Sequence, residues 1–158
     1  MTVVRDDVAK VLAAIQRLTS REVMVGIPAT KAEREDGEPI NNAQLGYIHE
    51  YGAPKANIPA RPFLVPGVAE KKDAIAGRLK KAAKAAMDGN NTALESELNA
   101  AGLLGQNGAR NQINNGPHEP LAERTLAARR ARGREGDKPL IDTGQLRNSL
   151  TYVIRQKE

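Results

Sequence analysis

The chain has 158 residues, of which 24 are basic and 19 acidic, with no Cys, no Trp, one Phe and two His. This length fits a single domain, here 1–158, with one hydrophobic core. The lack of Cys excludes a disulfide framework, a thiolate nucleophile and a Cys-based zinc site, and two His leave little for any transition metal. No cofactor is expected. "MTVVRDDVAK" is charged by its fifth residue and reads as no signal peptide, and no apolar run approaches the ~18–20 residues of a membrane span. The expected setting is therefore the cytoplasm, with no membrane partner.

Residues 4–18 place Val4, Val8, Val11, Leu12, Ile15 and Leu18 at intervals of three and four, which predicts an amphipathic helix with one apolar stripe. In "REVMVGI", Val23, Val25 and Ile27 alternate with other residues, the period of a half-buried strand, and Pro28 ends it. The polar stretch 28–41 reads as an exposed loop or hairpin tip, with extra strands as an option. A helix follows in "NNAQLGYIHEYG", with Asn41 or Asn42 as its cap, Gly52 as its end, and Leu45, Ile48 and Tyr51 facing inward. Prolines at 54, 59, 62 and 66 predict a stiff, extended connector over 53–66. Such a segment loses little entropy on docking and suits an interface. Alternatively, its Phe63 fills the chain's own core.

A long helix is expected from Pro66 through Met87, with Lys71, Arg78, Lys80, Lys81 and Lys84 mostly on one side. These residues, like "RTLAARRARGR" at 124–134, form either a solvated face or a surface that meets DNA. Residues 88–138 read as a helical insertion with loops. Its first helix starts near Thr92, at a Thr-Ala-Leu-Glu capping box. Gly102, Gly105 and Gly108 interrupt that helix's apolar face, so either the helix breaks there or a neighbouring backbone comes very close. The closing "SLTYVIRQ" alternates as a second strand and pairs with "VMVGI".

Candidate chemistry is sparse. "LIDTG" at 140–144 is spelled like an aspartic-protease loop, which acts as a pair of carboxylates sharing one proton. Only 14 residues follow Gly144, too few for the strands behind such a loop. The expected role of Asp142 or Thr143 is to cap the short helical turn that follows. Neither His49-Glu50 nor His118-Glu119 has the second His of a metalloprotease helix, and "GLLGQNG" lacks the Lys-Ser/Thr of a phosphate loop. No catalytic residues, and no enzyme activity, are expected.

Three stretches in order, "VMVGI", "AQLGYIHEYGAPKANIPARPFLVPGV" and "PLIDTGQLRNSLTYVI", resemble the neck or tail-completion proteins of long-tailed bacteriophages. That group includes the Mu-type virion morphogenesis proteins and the minor tail protein Z family. The likeness rests on Glu50-Tyr51-Gly52, on Ile58 through Leu64 ("IPARPFL"), and on Leu140 through Ser149, the second and third of which are specific as a pair.

The resemblance implies a non-enzymatic virion protein at the head–tail junction, made in the host cytoplasm. It implies a ring homo-oligomer, a hexamer by the family's habit, that contacts head-closure or connector proteins and tail terminator or tail tube proteins. DNA would pass through the lumen without sequence recognition. On that reading Tyr51, Arg61, Pro62, Phe63 and Leu64 form a subunit or partner interface, and Lys71, Arg78, Lys80, Lys81 and Lys84 are candidates for the channel. A stand-alone basic DNA-binding protein is the alternative, and a hydrolase using Asp142 a third. The expected fold class is α+β: a small antiparallel sheet of 22–27 and 149–155 packed against the N-terminal helix and the long helix from 66, with additional helices.

Overall fold

The computed structural model describes residues 4–35 and 37–157, with side chains from residue 7 onward. Asp36 and the side chain of Val4 lie outside the described residues. The fold is α+β, as expected, with a two-stranded antiparallel sheet and, among the described residues, seven α-helices.

Helix α1 (Val4–Thr19) leads into strand β1 (Arg21–Gly26), which pairs with the last element, β2 (Thr151–Gln156). The register sets Val23 opposite Ile154 and Val25 opposite Tyr152, so one face of the ribbon is apolar and is packed inward. Met24 and Val153 stand opposite each other on the outer face. The 28–41 segment adds no strand among its described residues. It contains one 3-10 turn at Ala29–Lys31.

Helix α2 (Asn42–Tyr51) is capped as the sequence indicates. The Asn41 side chain accepts from the Gln44 N–H, Gln44 returns the bond to the Asn41 N–H, and Gly52 ends the helix at a φ of 75°. Its buried face differs from the expected one. Asn42, Gly46 and Glu50, spaced by four, face inward, Leu45 and Ile48 are half-buried, and Tyr51 is exposed.

The proline-rich stretch is not an extended connector. It turns back on itself through a 3-10 turn at Pro54–Ala56 and a left-handed Asn57, closing an Ala53–Ile58 bridge, before running extended to Phe63. Each proline needs only a fixed φ and no N–H donor, and a tight turn meets both needs as well as an extended chain does.

The helix expected over 66–87 is two helices, α3 (Leu64–Glu70) and α4 (Lys72–Met87), offset at Lys71, whose φ of −95° and ψ of 7° depart from helical values. The long central element is instead α5 (Asn91–Asn115), about 37 Å at 1.5 Å per residue. Asn90, rather than Thr92, caps it by accepting from the Ala93 N–H at 2.9 Å.

Helix α5 carries the sheet, and its glycines are the reason it can. A Cβ on Gly102 would lie 2.3 Å from the Tyr152 ring, and one on Gly105 2.8 Å from Val25. One on Gly108 would lie 2.1 Å from the Gly67 carbonyl oxygen of α3. Of the two outcomes that the glycine run allows, the close neighbouring backbone is the one found. The sheet therefore rests on a long central helix as expected, but that helix is α5, which begins at Asn91 and not at 66.

Two short helices complete the chain, α6 (Glu123–Ala131) and α7 (Gln145–Ser149). Small residues join α1, α4 and the start of α5 into one cluster: Ala14, Ala82, Ala85 and Ala86 with Leu94 and Leu98. A second cluster gathers Phe63, Ala109, Ile113, Leu140 and Leu150. It brings Phe63 of the "IPARPFL" stretch against Leu140, which opens the "LIDTG" stretch, and against Leu150 at the entry to β2.

Candidate functional site

The residues that opened as an interface divide into inner and outer ones. Glu50, at the end of α2, reaches across to the start of α3, where its carboxylate accepts from the N–H groups of Phe63 (2.8 Å), Leu64 (2.9 Å) and Val65 (3.0 Å). The first N–H groups of a helix have no partner of their own, and the α3 N-cap residue is Phe63, which has no polar side chain to offer. A negative charge at the positive end of the helix dipole meets both needs. Arg61 donates from Nε to the Glu119 carbonyl (2.8 Å) and from Nη2 to the Pro120 carbonyl (3.0 Å), fastening the loop before α6.

With exposures of 6% and 2%, Arg61 and Phe63 are interior residues, which corrects their assignment to an interface. Leu64 is half-buried. Tyr51 and Pro62 remain outside, and Tyr51 stacks at a tilt on exposed Tyr47 with ring centres 4.8 Å apart.

Asp142 does not cap α7. The N-cap is Gly144, with a φ of 81° and no side-chain cap, and Thr143 offers Gln145 only a long contact of 3.4 Å. The Asp142 carboxylate instead forms ion pairs with Arg129, at 3.5 Å from Nε, and Arg134. Capping statistics describe local geometry, and here two guanidinium groups from the preceding elements claim the carboxylate first.

Arg129 is the centre of this arrangement. Buried, it donates from Nη1 to the carbonyls of Gly136 (3.0 Å), Lys138 (2.9 Å) and Ile141 (3.0 Å), so the 133–142 loop wraps around one guanidinium. Sequence reading missed it, although an Arg-rich helix followed by a Gly-rich loop with many unpaired carbonyls was the available signal.

Between α2, α6 and the loops at 57–61 and 139–146 lies a cavity of about 540 Å³. Arg34, Arg61, Arg124, Arg129 and Arg132 line it, with Asp142 as the one acidic residue among its described lining. Burial first, then the positive charges of Arg61, His118 and Arg129, pull the His49 imidazole down to about 4, so His49 is neutral at neutral pH.

The basic face of α4 is partly neutralised. Lys71 pairs with Glu70, Arg78 with Glu97, and Lys84 with Asp88, whereas Lys80 and Lys81 are exposed without an ion pair among the described residues. No group of three or more His, Asp or Glu among the described residues is placed to hold a metal, and none of the described helices is long and apolar enough to cross a membrane.

The stripe of α1 is the largest departure from expectation. Ala14 and Leu18 turn inward, but Val8, Val11, Leu12 and Ile15 face outward, with Leu12 56% and Ile15 47% exposed.

Comparison of the chain with protein-family models, with curated proteins and with solved structures finds no match.

Proposed function

We propose that the chain is a structural virion protein, without catalytic activity, that forms an oligomeric ring at a phage head–tail junction and joins head-closure to tail proteins around the DNA channel. The observation that carries this reading is the uncovered row Val8, Val11, Leu12 and Ile15 on α1. Each such side chain gains about 1.5–3 kcal/mol on full burial, so two exposed turns of helix are a strong incentive to associate. Tyr47, Tyr51 and Val65 form a second exposed apolar group, at the junction of α2 and α3.

The motifs behind the resemblance also support it, because they act together. Glu50 caps the helix that begins at Leu64, and Phe63 packs against Leu140 and Leu150. Lys80 and Lys81 supply positive charge on α4, the helix that α1 packs against, where interspersed acids moderate attraction to DNA. Assembly on the growing particle, with isolated subunits monomeric, fits a core built of small aliphatic residues.

The test is imaging of tailed particles with a tag on this chain. A ring of tag density between head and tail is expected, and particles lacking the chain altogether would overturn the proposal. Tight binding of duplex DNA by the isolated monomer, with a steep salt dependence, would favour the stand-alone DNA-binding alternative.

A further inference from the structure

We infer that the arginine-lined cavity is a binding site for an acidic segment of a partner protein, taking an Asp or Glu carboxylate together with a neighbouring apolar side chain. Its walls divide by chemistry. Arg61, Arg124, Arg129 and Arg132 supply positive charge, while Leu45, Ile58, Leu121, Leu140 and Leu146 supply an apolar lining. Asp142, the one acid among the described lining residues, is shared between Arg129 and Arg134 and leaves Arg124 and Arg132 uncompensated.

These four arginines fall into two kinds. Arg61 and Arg129 are buried and locked by backbone carbonyls, so their charge is fixed before any ligand arrives, which lowers the entropy lost on binding. Arg124 and Arg132 are exposed, with no ion pair or side-chain hydrogen bond among the described residues, and their planar guanidinium forks match a carboxylate.

Two unpaired polar atoms belong to residues of the wall. Asn42 and His49 both line the cavity, and Asn42 Oδ1 and His49 Nδ1 are buried without a hydrogen-bond partner. Folded chains rarely leave buried polar atoms unpaired. Both atoms have under 1 Å² of accessible surface, so they lie behind the wall and the arginine charges carry the site.

Other anions fit less well. Duplex DNA presents a long row of phosphates rather than a projection that enters a cavity, and no Phe, Tyr or Trp is among the described lining residues to stack on a base. At about 540 Å³, the cavity is far larger than an inorganic phosphate needs. The inference stands on the cavity alone and does not depend on the neck reading.

The test probes an array of random heptapeptides with the full chain and with an R124E/R132E double variant, and then measures the best peptide by fluorescence anisotropy. Enriched peptides are expected to carry Asp or Glu within two positions of Leu, Ile or Val. The double variant should weaken their binding by about tenfold or more while circular dichroism stays unchanged, and an R124Q/R132Q pair should weaken it less. Three results would overturn the inference: enrichment without acidic residues, binding that neither variant alters, or displacement of the peptide by inorganic phosphate or duplex DNA at lower concentration than by unlabelled peptide.

Discussion

Helices α1 and α5 invert the usual relation between apolar content and burial. The first carries a clean stripe of Val, Leu and Ile, yet most of it faces out. The second has a face thinned by three glycines, yet Gly102, Gly105, Gly108 and Ala109 are all buried. The difference lies in what approaches. Glycines let a tyrosine ring, a valine and the α3 backbone come close to α5, and close packing returns in dispersion contacts what the missing side chains lose. Against α1 the chain offers the alanine-rich α4, which accepts Ala14 and Leu18 and leaves Val8, Val11, Leu12 and Ile15 exposed.

The largest effect should come from filling the crossing of α3 over α5, where backbone meets backbone. Gly67→Val places a side chain 2.5 Å from the Ala109 Cα, where backbone must move, and a loss of more than about 3 kcal/mol in urea denaturation is expected. Wild-type stability would show that α3 and α5 do not cross there.

Acid comes next. The folded His49 value, about 4, lies below its ordinary 6.5, so the unfolded chain binds the proton first. The contribution is full above pH 6.5, falls as pH drops toward 4, and totals up to about 3 kcal/mol. Denaturation curves across that window should show this slope in the wild type and a shallower one in His49→Gln. Equal slopes would mean that His49 is open to water.

Glu50→Gln removes the charge that serves three N–H groups of α3, and a loss of about 2 kcal/mol is expected in the same assay. The smallest change is at the surface. Leu12→Ser should shift stability by no more than about 0.5 kcal/mol, since more than half of the residue is already exposed. A loss of several kcal/mol would place Leu12 in a core and erase the contrast between the two helices.

Much of this was legible where the signal is local. The Asn41 cap and the Gly52 stop of α2 depend on a few consecutive residues, as do the alternation in β1 and β2 and the short turn after Gly144. The glycines of α5 narrowed the outcome to two, one of which is found. What was not legible depends on partners distant in sequence. Glu50 reads as a surface charge until the start of α3 arrives beside it, 13 residues later. Asp142 reads as a cap until Arg129 and Arg134 are placed around it. Periodicity showed that α1 has two faces but not which of them this chain covers, because that depends on α4 and on whatever meets the other side.

The central claim is that the outer face of α1 becomes covered on assembly, and a single cysteine tests it directly because the chain has none of its own. The rate at which Leu12→Cys reacts with a maleimide would be measured on the isolated chain and on tailed particles that carry the variant. Rapid reaction in isolation and strong protection in the particle are predicted, whereas equal rates, or particles without the chain, would contradict the account.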